Sequence, residues 1–144
     1  MTHNFNVEVA SKVGVECAII LSNIDFWIEK NAANKKHFHD GNYWTYNSAE
    51  AFSKLFPYWK PKKIRYLISK LVSDGFLVVG NYNQKKYDRT NWYAITEKGF
   101  ELIGKVGYDE NGELKRMHSE GKTMSQKWEM DVPKMGNLYQ IINR

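Results

Sequence analysis

A chain of 144 residues has room for one domain of common size and a short appendage. Apolar residues make up 42% of it and aromatics 15%, enough for a packed core, which excludes a disordered chain; no apolar run approaches the roughly 18 residues of a membrane helix. The net charge of +5 is unevenly spread: between Tyr58 and Thr90 eight cations (Lys60, Lys62, Lys63, Arg65, Lys70, Lys85, Lys86, Arg89) stand against two anions (Asp74, Asp88), leaving −1 for the remainder. Such asymmetry is expected of a face that binds a polyanion, although charge runs on small domains are also ordinary solvated surface, so the location of the cations has to decide.

The first long pattern runs from about Val13 to Ala33, where Cys17, Ile20, Leu21, Ile24 and Ile28 recur at helical spacing and Ile19, Phe26 and Trp27 widen the stripe. A helix apolar over so much of its circumference is buried on more than one side, either by running through the core or by packing against a second copy, so it permits a homodimer. His37 to Asn42 reads as a turn. Tyr43-Trp44-Thr45-Tyr46 follows as a short aromatic and β-branched strand. Asn47 is then expected to cap a helix, with Glu50 closing a capping box. That helix has Ala51, Phe52, Leu55 and Phe56 on its apolar edge, and Pro57 stops it.

Pro61 opens a second helix after a tight connection through Tyr58-Trp59-Lys60. Ile64, Leu67, Ile68, Leu71 and Val72 give this helix, Pro61 to Asp74, one core face. At about 100° per residue, Lys62, Tyr66, Ser69 and Ser73 lie opposite, flanked by Lys63, Arg65 and Lys70. Exposed helices ordinarily mix both charge signs to gain i,i+4 pairs; here only Asp74 at the end is acidic. Gly75 terminates the helix. Phe76 to Asn83 reads as a strand, Asn91 to Thr96 as its partner, and Gln84 to Thr90 as a basic loop between them. Thr96 is expected to cap a last short helix to about Lys105 that buries Phe100, Leu102 and Ile103. Trp27, Trp44, Phe52 and Trp92 are read as core, and Tyr58, Trp59 and Tyr87 as open to either packing or contact. Tyr108 to Arg144, polar and dotted with glycine, reads as a loosely ordered tail or linker, so the domain is drawn over 1–105 and a flexible segment over 106–144.

The order helix, strand, helix, tight turn, helix, β-hairpin, helix gives an α+β fold, mainly α, of the winged helix-turn-helix kind. A B-DNA major groove admits one α-helix, which needs donors on its outward face. Lys60, Lys62, Lys63, Arg65, Tyr66, Ser69 and Lys70 supply them, while Lys85, Lys86 and Arg89 reach flanking phosphates or the minor groove. The expected partner is double-stranded DNA. No cofactor and no catalytic residue is expected: Cys17 sits on an apolar helix, no phosphate-cradling glycine loop or nucleophile elbow is present, and His37, His39 and Asp40 lack further metal ligands at a recognisable spacing, so they read as a polar loop. The single cysteine and the absence of a signal-peptide pattern at Met1-Thr2-His3-Asn4-Phe5 place the chain in the cytoplasm by expectation.

The stretches Gly41 to Ser48, Leu55 to Trp59, Leu77-Val78-Val79-Gly80-Asn81-Tyr82-Asn83 and Lys86-Tyr87-Asp88-Arg89-Thr90-Asn91-Trp92-Tyr93 resemble the N-terminal winged-helix domain of replication initiators (replisome organisers) from phages and prophages of low-GC Gram-positive bacteria. The helix Ala18 to Ile28 is also similar to theirs, and the resemblance spans about Val13 to Gly99. It implies binding at a phage or prophage replication origin as an early step of initiation, with Pro61–Ser73 as recognition helix and Gln84–Thr90 as wing. Members of the family usually continue into a region that recruits other replication proteins, host or phage; the segment after Gly107 is similar to their interdomain linker. A transcriptional regulator on the same scaffold, or a phage protein that binds and modulates a host protein, are the alternative readings.

Overall fold

Pro61 and Gly75 bound a helix at the places their backbone chemistry dictates. A computed structural model describes residues 1–116. It is an α+β fold with five helices and small antiparallel sheets among the described residues. The helices are α1 (Val7–Val13), α2 (Val15–Ala33), α3 (Ala49–Leu55), α4 (Pro61–Ser73) and α5 (Glu97–Ile103); the strands are β1 (Phe38–His39), β2 (Asn42–Tyr43), β3 (Thr45–Tyr46), β4 (Leu77–Gly80) and β5 (Trp92–Ile95).

The N-terminal region departs from the single helix expected from Val13. Asn6 accepts hydrogen bonds from the backbone N–H of Glu8 and Val9 and so caps a separate α1. Gly14, at φ 89° and ψ 155°, breaks the chain before α2 begins. The broad apolar stripe of α2 is satisfied within the chain. Cys17, Ala18, Ile20, Leu21, Ile24 and Ile28 are buried, and α2 packs against α1, α4 and the strands. Phe26 is the exception, with 56% of its surface exposed. Trp27 is half-buried rather than core, its ring covered by the Lys30 ammonium at 5.1 Å.

The expected turn at His37 to Asn42 is the tip of a small hairpin. Asp40 and Gly41 both have positive φ (51° and 80°), the arrangement of a two-residue Asp-Gly turn, and β1 pairs with β2 on either side. The expected single strand Tyr43 to Tyr46 is broken at Trp44, so that β2 belongs to this hairpin and β3 to a three-stranded sheet ordered β3-β5-β4. In that sheet Thr45, Tyr93, Leu77 and Ile95 face the main core. Tyr46, Trp92 and Ala94 face the other way, because alternate residues point to opposite sides.

Ser48, not Asn47, caps α3: its hydroxyl accepts from the Ala51 N–H, which places Glu50 one position too early to complete a capping box. The α4 core face forms as its spacing requires, with Ile64, Leu67, Ile68 and Leu71 buried and Val72 half-buried. β4 ends at Gly80 instead of Asn83, because Asn81 to Asn83 turn away to brace the following loop. Thr96 caps α5, accepting from the Gly99 N–H. Phe100 is buried there, while Leu102 and Ile103 are half-buried.

Residues 106–116, placed in the tail by the sequence, lie against the body. Tyr108 packs on the core, bridges to Leu114, and stacks edge-on against Tyr43, whose hydroxyl donates to the Gly112 carbonyl at 3.1 Å. Lys105 ties the same segment to α2 through Asp25 at 2.6 Å and Glu29 at 3.3 Å. Burial raises the pKa of Asp25 and by itself would lower that of Lys105, but the hydrogen bond and charge of Asp25 reverse the effect at Lys105, whose pKa is raised. The remainder of the expected tail, 117–144, lies outside the described residues.

Candidate nucleic-acid interface

Pro61 starts α4 without an acidic residue in its first turn and without a side chain capping it. Pro61 has no N–H and that of Lys63 is bonded to the Lys60 carbonyl at 2.9 Å, so what the helix start offers a phosphate is its partial positive charge together with the Lys60 and Lys62 ammonium groups. Along the outward crest Lys62, Tyr66, Ser69 and Ser73 are all exposed, Tyr66 by 60%.

The cations flanking that crest divide between two sides. Arg65 borders an open groove of about 950 Å³ together with Ser69 and Ser73 of α4, Asn47 and Ser48 before α3, and Lys85, Tyr87, Arg89, Thr90 and Asn91 of the β4–β5 loop. Phe52, Ile64, Ile68, Val72, Val79 and Tyr93 form its floor, and Asp88 is its one acidic residue. Lys63 is turned to the opposite flank and pairs with Glu16 of α2 at 3.2 Å. Lys70 is exposed on that same flank, near enough to Cys17 for its charge to oppose burial, which raises the thiol pKa. The ten residues singled out by the sequence thus form a groove wall (Arg65, Ser69, Lys85, Arg89), a crest and helix start (Lys60, Lys62, Tyr66), a loop tip (Lys86) and a far flank (Lys63, Lys70).

The loop that supplies the second wall is not held by strand pairing. Asn83 braces it from within: the side-chain amide nitrogen lies 3.0 Å from the Asp88 carbonyl and 2.8 Å from the Thr90 carbonyl, and the side-chain oxygen accepts the Trp92 indole N–H. Asp88 adds a second brace by accepting from the Thr90 N–H at 3.0 Å and the Thr90 hydroxyl at 2.7 Å. These two bonds hold the Asp88 carboxyl below its ordinary pKa, so it stays ionised. The Asp88 carboxylate is taken up by Thr90, and Lys85, Lys86 and Arg89 are exposed.

Behind the loop lies a second, smaller core of Trp44, Trp92 and Ala94, covered by Tyr82. The rings of His37 and His39 stand edge-on to Trp92 at 5.2 and 5.7 Å, and His39 stacks on Tyr82 at 4.5 Å. The Tyr82 hydroxyl donates to Asp40. Gly80 has no room for a side chain, since a Cβ there would meet Tyr82 and Trp44 at 2.9 and 3.0 Å. The histidines and Asp40 therefore serve as packing and hydrogen-bonding partners of the loop base. Among the described residues no group of three or more His, Cys, Asp or Glu could hold a metal ion.

Asn47, Thr90 and Asn91 on the groove, and Asn83 and Asp88 within the loop, were not singled out as functional by the sequence. All five stand in the quoted stretches. The Asp88–Thr90 contact is local and its two-residue spacing could have revealed it, whereas the partners of Asn83, two carbonyls and the Trp92 indole, are ones that no spacing reveals. In comparisons with protein-family models, curated proteins and solved structures, nothing matches this chain. No helix among the described residues is long and apolar enough to cross a membrane.

Proposed function

We propose that the chain is a non-catalytic, cytoplasmic winged helix-turn-helix module that binds double-stranded DNA. In this reading α3 and α4 are the helix-turn-helix, α4 lies in the major groove, and the β4–β5 loop is the wing. One observation carries the proposal: Arg65, Ser69 and Ser73 of α4, beside the exposed crest of Lys62 and Tyr66, border the same open groove as Lys85 and Arg89 of a braced cationic loop. A duplex presents two adjacent phosphate ridges with a base-lined groove between them, and that shape is matched by a donor-rich helix beside a basic loop. Lys62, Arg65, Tyr66 and Ser69 are the side chains offered to base edges. Lys60, Lys85, Lys86 and Arg89 are offered to phosphates. Lys63, held by Glu16, and Lys70 are placed to meet only a backbone that passes on the α2 side.

The likeness of the loop motif to that of replication initiators supports a role at a phage or prophage origin during initiation, with host or phage replication proteins as further partners. Because α1, α4 and the strands fill the faces of α2, the fold does not require a homodimer through that helix.

Fluorescence anisotropy with a random duplex and with the origin region of the source genome, each at two salt concentrations, tests the proposal. Tight, salt-sensitive binding that prefers the origin is the expected result, with affinity falling by about 10³–10⁵ between low and moderate salt if six or more phosphates are contacted. Flat anisotropy at low salt overturns DNA binding. Salt-sensitive binding without preference for the origin removes the replication role and leaves a general duplex binder.

A further inference from the structure

The tip of the β4–β5 loop carries a side chain that phosphate binding does not use. The Asp88 backbone N–H donates to the Lys85 carbonyl at 3.0 Å, closing a four-residue turn whose two central, protruding positions are Lys86 and Tyr87. Tyr87 is 77% exposed, the most exposed aromatic residue among those described. The Lys85 ammonium lies 5.7 Å from its ring centroid, and no other aromatic ring packs on it among the described residues.

Two features separate this ring from an ordinary surface tyrosine. The first is support. Asp88, next to it in the chain, is bonded to Thr90 through its carboxylate, and its carbonyl is bonded to Asn83, which is fixed in turn on Trp92. The turn is therefore held before any ligand arrives, and ordering it on binding costs little conformational entropy. The second is its neighbourhood. Lys85, Lys86 and Arg89 lie within two residues of it, and the ring borders the same groove as Arg65 and Ser69. A ring that meets only water and one ammonium gains little, whereas the same face against a nucleobase gains stacking whatever the base.

Resting on the DNA-binding reading above, we infer that Tyr87 is a wedge: with the loop laid along the minor groove, its ring enters between base pairs, partly unstacks one step and bends the duplex. Lys85, Lys86 and Arg89 hold the phosphates on either side while the ring is inserted. Unstacking is least costly at flexible pyrimidine–purine steps, so the wedge also selects sequence at a step where no hydrogen bond is read.

The test uses the full chain with a short A·T-rich duplex that has a central TA step. One form carries 2-aminopurine in place of the adenine of that step, and another carries a fluorescence-transfer pair at its ends. At protein concentrations where anisotropy shows the duplex saturated, the 2-aminopurine emission rises and the ends approach. Tyr87→Ala loses both responses and binds about tenfold more weakly, the scale of one lost stacked ring. Tyr87→Phe keeps both, since stacking does not need the hydroxyl. Binding with silent 2-aminopurine, or a response that survives Tyr87→Ala, overturns the wedge and leaves DNA binding intact. Flat anisotropy for the unaltered chain overturns DNA binding and the wedge with it.

Discussion

The side-chain oxygen of Asn83 accepts the indole N–H of Trp92 at 2.8 Å, joining the base of the β4–β5 loop to the small aromatic core behind it. Trp92 is buried, so its N–H has no ready substitute partner in water. Through the same side chain the amide N–H groups reach the carbonyls of Asp88 and Thr90. One residue therefore couples the packing of the sheet to the shape of the cationic loop.

Asn83→Ala is expected to lower stability by about 1–3 kcal/mol, because it leaves a buried indole N–H unpaired. It should also weaken DNA binding although every cation is retained. Urea unfolding and anisotropy on the same sample check both effects. Asn83→Asp keeps the acceptor for Trp92 and loses the donors to the loop carbonyls, so it should recover part of the stability and little of the binding. Full binding by Asn83→Ala would show that the loop does not need its brace.

The helix and the loop should fail in different ways. Replacing Lys62 and Arg65 by Ala should cost about 1–3 kcal/mol apiece on a preferred sequence and much less on random duplex. Replacing Lys85, Lys86 and Arg89 together should weaken all sequences alike and reduce the slope of log affinity against log salt by roughly 2 to 3. Lys63→Ala should change binding less than Arg65→Ala, since Lys63 is engaged by Glu16. Salt titrations of the four proteins on two duplexes distinguish these outcomes.

Burial, with the hydrogen bond to Asp40 and then its charge, pushes the Tyr82 phenol up to about 12. Its pKa in the fold is thus above the ordinary value of 10.0, and the protonated form is the one the fold stabilises. The stability this contributes is fully present below about pH 10 and is lost as pH rises through about 12. An ultraviolet titration should show a late-ionising component to which Tyr82 contributes beside Tyr58, Tyr93 and Tyr108, whose phenols burial also raises. The difference from a variant at Asp40 isolates the Tyr82 step. Asp40→Asn should bring that step back toward the ordinary value and reduce the loss of stability between those two pH values.

A stability change separate from binding is expected at Gly99. A Cβ there would lie 2.3 Å from the Phe76 carbonyl oxygen and 2.7 Å from a methyl of Ile95, and the backbone oxygen cannot step aside. Gly99→Ala should destabilise by about 1–3 kcal/mol. Gly99 does not line the groove, so the folded fraction should bind DNA as before. Calorimetry with a matched anisotropy titration checks the separation.

The ends of α4 and its two faces were legible from residue order alone. Proline cannot continue a preceding helix and suits a first turn, Gly75 adopts φ 84°, and a 3.6-residue period sorts Ile64, Leu67, Ile68 and Leu71 from Lys62, Tyr66 and Ser69. The cap at Thr96 was legible for the same local reason. Asn47 and Ser48 stand side by side and either can cap, so the choice between them fell to the path of the chain leaving β3. The start of α1 had a local signal in Asn6, but seven residues is too short for a periodic pattern to stand out.

By itself, then, the sequence determined what depends on neighbours along the chain: where helices begin and stop, which side of α4 is apolar, and that the excess positive charge falls on that helix and the following loop. Tertiary structure decided what depends on neighbours in space. It set Arg65 on the groove and turned Lys63 to Glu16, paired Asn83 with Trp92, and laid 106–116 against Tyr43. The physical reason is the range of the forces involved. Backbone preferences and helical periodicity act within a few residues, whereas a hydrogen bond or ion pair selects its partner by distance in the folded chain, and Lys63 and Glu16 become neighbours only after α2 and α4 have packed together.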